Sequence, residues 1–255
     1  MTKKSQTALI VIIALILLVI GILLAGWKSM GKTSKNNSVD KTLEGIENKS
    51  IVESDPHYDL NVSYPSTINP QINSQIESFV QGQITGFKAR VDDFFNKAPP
   101  PGGFSAWRHS FDINYEVFRL SEQTVSFKFG IRFSGGGGQG PVNSVVAQTF
   151  DIQTGRQYVL AEFFSDPNYL NVISEMAAKN LKDSGRLGDQ YNEEMLKSGA
   201  SPVESNFLNF ALSEDSLIFF FQPQQLSPAA AGVQYAEIEY DDIRNLLKPE
   251  MFGNN

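Results

Sequence analysis

The chain is expected to be an α+β protein, an antiparallel sheet with packed helices, preceded by one N-terminal transmembrane helix. Three observations carry this. Ala8–Ala25 is 18 residues long with no charged or strongly polar side chain. Val125, Phe127, Phe129, Ile131 and Phe133 alternate with Ser126, Lys128, Gly130, Arg132 and Ser134, which is the period of a strand. Ile72, Ile76, Phe79, Val80, Ile84, Phe87, Val91, Phe94 and Phe95 instead recur at helical spacing.

At 1.5 Å per residue the apolar run covers about 27 Å, close to the ~30 Å hydrocarbon core. Lys3 and Lys4 precede it, and Trp27 and Lys28 follow as interfacial anchors. A cleaved signal peptide is the competing reading, but its apolar region is usually only about 7–15 residues and needs a small-residue cleavage site. The chain therefore divides into a short cytoplasmic tail (1–7), a transmembrane anchor (8–27), a flexible polar linker (28–50) and an extracytoplasmic α+β domain (51–255). The expected address is the cell membrane, crossed once, with the large domain outside.

Within that domain, Tyr58–Tyr64 alternates as a half-exposed strand and ends at Pro65. Asn69-Pro70 supplies an N-cap and a first-turn proline for the helix that follows. Gly82 and Gly86 lie four residues apart in that helix and point to close packing by another element. The run from Ala98 to Gly103 breaks the chain. Trp107, His109, Phe111, Ile113, Tyr115 and Val117 then share one face of a strand that hairpins into the Val125–Phe133 strand. A glycine run (135–138) leads to a strand over Val145–Phe150, a turn at Asp151–Gly155, and a helix opened by Asp166-Pro167. Ser184–Glu204 is polar and helical in part. The last stretch, Phe207–Leu247, turns at Ser213–Asp215. It returns through the uninterrupted apolar run Leu217–Phe221, which marks a central buried strand completing the sheet. A further strand and a short helix near Asp241 follow.

Composition excludes several functions. Net charge is −7. Five of the 21 basic residues lie in the first 35 positions, which hold no acid; the remainder sets 16 bases against 28 acids, a net of −12. Such a surface repels phosphate backbones, so no nucleic-acid partner is expected. There is no cysteine, hence no disulfide, thiolate nucleophile or cysteine metal site. The two histidines, His57 and His109, show no metal-ligand spacing. His109 sits on an apolar strand face and reads as a packed, hydrogen-bonded core residue. The glycine run lacks the Gly-Lys-Ser/Thr of a phosphate loop, and no Gly-x-Ser-x-Gly elbow occurs. No cofactor is expected. Of the paired acids, Asp92-Asp93 is a solvated helix face, Glu214-Asp215 a turn, and Asp241-Asp242 a helix N-terminus. Glu237 and Glu239 share one strand face, and a glycosidase-like carboxylate pair is the enzymatic alternative there.

Four segments carry a family resemblance: VSYPSTINPQINSQI (62–76), FDIQTGRQYVLAEFF (150–164), the helix after Asp166-Pro167, and FALSEDSLIFFFQPQQLSPAAAGVQYAEIEYDDIRNLL (210–247). In order and spacing they resemble the extracytoplasmic domain of the lysozyme-sensing anti-sigma factor RsiV. They equally resemble the domain ahead of the catalytic part of PdaC-type peptidoglycan deacetylases. The match spans about Val52–Leu247; the deacetylase metal motif is absent. The resemblance implies a non-enzymatic envelope domain that binds peptidoglycan or a lysozyme-like muramidase. Seven residues inside the cell cannot hold a sigma factor, so capture of a muramidase would mean inhibition rather than signalling. The family usually has Gly-Gly-Ala-His in its glycine turn, where Gly137, Gly138 and Gln139 stand here without a histidine, and aromatic residues where Gln224, Gln225 and Ala229 stand. The candidate ligand contacts are Gln139, Gln224, Gln225, Glu237, Glu239 and Tyr240. A glycan hydrolase and a structural module of an envelope complex are the alternatives.

Overall fold

The structure, a computed structural model, describes residues 45–97, 107–119, 121–137, 140–188 and 192–252. Strands β1 (Ile46–Ser54) and β2 (Tyr58–Thr67) form an antiparallel pair, followed by helix α1 (Pro70–Lys97). Strands β3 (His109–Arg119), β4 (Thr124–Ser134) and β5 (Val142–Asp151) complete a five-stranded sheet of order β1-β2-β3-β4-β5. A 3-10 turn at Leu160–Phe163 precedes helices α2 (Tyr169–Asp183) and α3 (Glu193–Gly199). Strands β6 (Phe210–Leu212), β7 (Ser216–Phe221) and β8 (Gln234–Glu239) make a second sheet, and α4 (Tyr240–Ile243) follows.

Local pattern accounts for most elements. Asn69 caps α1 as expected: its Oδ1 accepts the Gln71 N–H at 2.8 Å. The helix buries Ile72, Ile76, Val80, Ile84, Phe87 and Val91 against the first sheet. There Phe87 stacks on Phe111 at 4.9 Å and meets the edge of Tyr58 at 5.3 Å. In α2 the buried stripe is Tyr169, Ile173, Ala177 and Leu181, with Val172 and Met176 on its flanks. All six residues of β7 are buried, as a central strand requires.

Four expectations need correction. The first sheet is mixed, because β2 and β3 pair in parallel. The α1 crossover between them returns the chain to the same end of the sheet, which a tight hairpin cannot do. The C-terminal strands do not complete that sheet but form their own, with β7 in the middle. Strand β1 begins at Ile46, inside the segment read as linker. It is an edge strand that fully buries only Ile46, so it carries almost no hydrophobic signal. Finally, Gly82 and Gly86 are exposed, and a Cβ at either would meet nothing within 4 Å. They lie opposite the buried stripe, and no element packs on them.

The two sheets meet face to face over a small apolar patch of Val145, Ala147, Ala211, Ile218 and Phe220. The polar face of β4 is covered at this end. Ser126 Oγ lies 2.8 Å from Thr149 Oγ1 and accepts the Leu212 N–H at 3.0 Å, while Thr149 Oγ1 donates to the Phe210 carbonyl at 3.2 Å. Each buried hydroxyl is thereby satisfied. The expected membrane span, 8–27, lies outside the described residues. Among the described residues, no helix is long and apolar enough to cross a membrane.

Candidate functional site

The second sheet is short and covers only part of the outer face of the first. Where it stops, a groove of about 450 Å³ opens, a volume within the ~300–1,000 Å³ usual for ligand sites. Strand register decides what lies in it. Asn61 on β2 pairs with Asp112 on β3, Asp112 with Arg132 on β4, and Arg132 with Asn143 on β5. Directly paired residues share a face, so these four side chains form one row across four strands. Ser63, Asn114 and Lys128 lie beside the row, and Val145 and Val233 line the groove toward the second sheet.

The row is chemically uncommitted. Among the described residues, no side-chain hydrogen bond or ion pair engages Asn61, Asp112, Arg132 or Asn143, although Asp112 and Arg132 are cross-strand partners. Lys128, by contrast, is held: its Nζ donates to Glu116 at 2.7 Å and sits 5.1 Å from the centre of the Phe220 ring. Gly130, opposite Asn114, keeps the floor low; a Cβ there would stand 2.5 Å from Asn114 Oδ1. The groove thus offers amide, carboxylate and guanidinium groups that donate and accept hydrogen bonds without a nucleophile–base pair. Among the described residues no three His, Cys, Asp or Glu side chains are grouped to hold a metal ion.

The side chains singled out from the sequence do not converge. Gln139 lies outside the described residues. Gln225 is a structural staple: its Nε2 donates to the carbonyls of Gly199 and Asn206, both at 3.0 Å, and its Oε1 accepts the Gln222 N–H at 3.0 Å. Tyr240 is buried, donates its hydroxyl to the Ser213 carbonyl at 3.1 Å, and has its phenol pKa pushed up by burial. Gln224 is exposed in the left-handed region at φ 71°, a conformation uncommon outside glycine. Glu237 and Glu239 are exposed on the face of the second sheet that carries Phe220. Glu237 accepts a hydrogen bond from Ser216 Oγ at 2.9 Å.

His109 is buried among the rings of Phe94, Phe95 and Phe133, as its strand position implied. Its Nδ1, however, has no hydrogen-bond partner among the described residues. The groove residues were not singled out from the sequence. Their one local signal is period two: Asp59, Asn61 and Ser63, then Asp112 and Asn114, alternate with apolar neighbours. Joining those runs requires the β2–β3 register.

Comparison with known proteins places this architecture. Residues 161–241, from the 3-10 turn to the start of α4, match the family model described as "Protein of unknown function (DUF3298)". The chain is also 24% identical over 227 residues to the peptidoglycan-N-acetylmuramic acid deacetylase PdaC of Bacillus subtilis, covering 87% of this chain and 46% of that protein. It therefore spans about half the length of the curated relative it matches. The PdaC likeness read from the residues is borne out. A crystal structure of a DUF3298 member from Bacteroides fragilis superposes with a TM-score of 0.59 at 14% identity, covering 82% of this chain and 99% of that one. One from Pseudomonas aeruginosa gives 0.57 at 11% identity, covering 82% and 98%. At such identities these two structures establish the fold.

Proposed function

We propose that this chain is a non-enzymatic binding module of the bacterial cell envelope, and that the inter-sheet groove takes the glycan of peptidoglycan. The row of uncommitted polar side chains from Asn61 to Asn143 carries the reading. Sugar hydroxyls and N-acetyl groups are recognised by the donors and acceptors that amide, carboxylate and guanidinium side chains supply. Likeness to a peptidoglycan deacetylase supports the substrate class. The apolar segment 8–27 would anchor the domain on the outer side of the membrane, and the polar residues after it would act as a tether.

Co-sedimentation of the full-length chain, in detergent, with purified peptidoglycan sacculi tests this. Retention of the wild-type chain and loss of retention in D112A/R132A support the reading; no retention sinks it. The hydrolase alternative would need a general acid whose pKa is raised by burial, whereas Glu237 and Glu239 face solvent. Release of reducing ends from sacculi, abolished by Glu237→Gln, would replace the binding proposal with that one.

A second reading, capture of a basic lysozyme-like muramidase, draws on the acid excess of the chain beyond residue 35. Raising salt from about 0.15 to 1 M shortens the screening length from roughly 8 to 3 Å. Calorimetric binding of lysozyme that survives this change would favour a docked protein; heat that disappears would retire the idea.

A further inference from the structure

We infer that the groove binds a β-1,4-linked glycan lying across the strands, with one sugar over each of β2, β3, β4 and β5. This rests on the glycan reading above and adds a direction and a length to it.

The argument is geometric. Neighbouring strands are separated by ~4.8 Å, so the four members of the row are spaced over three gaps, about 14 Å. That step is close to the rise of one sugar in an extended β-1,4-linked chain. A glycan running perpendicular to the strands would meet Asn61, Asp112, Arg132 and Asn143 in succession. One running parallel to them would meet only residues of one or two strands. The chemistry along the row is ordered as well: an amide at each end and a carboxylate beside a guanidinium in the middle. Asp112 can only accept, from ligand hydroxyl or acetamido N–H groups, and Arg132 can only donate, to ligand hydroxyl or acetyl oxygens.

Neither central group is neutralised by the other, although each is the other's cross-strand neighbour, so both heads are free for ligand. Gly130 adds depth at the centre, where a Cβ would collide with Asn114. The second sheet bounds the groove on one side, where Val233, at the entry to β8, packs against the cluster that includes Val145 of β5, which leaves the line of the row as its long direction.

Binding should therefore depend on oligomer length. The full-length chain would be titrated with β-1,4-linked N-acetylglucosamine oligomers of one, two, four and six sugars. Affinity should rise at least about tenfold from the disaccharide to the tetrasaccharide, the equivalent of one to two further hydrogen bonds, and level off at six. N61A and N143A, at exposed ends of the row, should each remove most of that gain while leaving thermal stability unchanged. Equal affinity for two and four sugars, or a length dependence untouched by both variants, would overturn the inference even if sacculi are retained. Failure to bind sacculi at all would remove the glycan reading itself, and the inference with it.

Discussion

The side-chain amide of Gln222 pairs with both backbone polar groups of Val145: its Oε1 accepts the Val145 N–H at 3.1 Å, and its Nε2 donates to the Val145 carbonyl. One amide thus stands in for a neighbouring strand along the outer edge of β5. Asn209 continues the arrangement, its Oδ1 accepting the Ala147 N–H at 3.0 Å. An unpaired edge invites pairing with other chains; here the second sheet closes it with side chains while packing against the first. Val145 is buried, so Gln222→Ala leaves a buried peptide group unsatisfied, at a cost of about 1–3 kcal/mol. Urea denaturation should show that loss, and hydrogen exchange at the Val145 amide should accelerate.

Gly82 and Gly86 sit in the interior of α1 with open space where a Cβ would go. Alanine at either position relieves the backbone entropy cost of glycine without a clash. Each of G82A and G86A should stabilise the domain by about 0.5–1 kcal/mol, additively, as read from denaturation midpoints.

Gly130 behaves oppositely. Its missing Cβ is what lets Asn114 lie across the floor of the groove. G130A should displace Asn114, weaken glycan binding and lower stability. G130A/N114A should recover stability beyond the sum of the single effects, since the clash is removed; a double-mutant cycle measures this coupling.

Burial among aromatic rings pushes the pKa of His109 below its ordinary value of 6.5. The unfolded chain takes up a proton near 6.5 while the folded chain does not, so stability falls as pH drops below 6.5 until the lower folded pKa is reached. Melting temperatures between about pH 8 and 5 should fall in the wild type and flatten over this window in His109→Phe.

Tyr240→Phe separates structural from ligand-contacting roles. Loss of its hydroxyl bond to the Ser213 carbonyl should cost about 0.5–1.5 kcal/mol with glycan retention unchanged, because the side chain is buried away from solvent.

Elements whose burial follows their own period were legible from the residues. The stripe of α1, the alternation of β4 and the apolar run Leu217–Phe221 of β7 each bury what their spacing says they should. Edge strand β1 was not legible, because a strand with one neighbour and both faces mostly wet needs no hydrophobic pattern. The candidate site was read least well. Gln225 and Tyr240 are among the candidate ligand contacts read from the sequence, yet both spend their polar atoms on holding backbone.

By itself, the sequence determined the main helices, the strands other than β1 and which side of each is apolar, since those follow from contacts within a few residues. It also settled the acid excess and the absence of cysteine chemistry. Tertiary structure decided that β2 and β3 run parallel, that the last three strands form a separate sheet, and that this sheet covers Ser126 and Thr149 but leaves Asn61, Asp112, Arg132 and Asn143 open. Register and sheet-on-sheet packing join residues some eighty positions apart, from Asn61 to Asn143. No local pattern encodes which polar face is sealed and which becomes a groove.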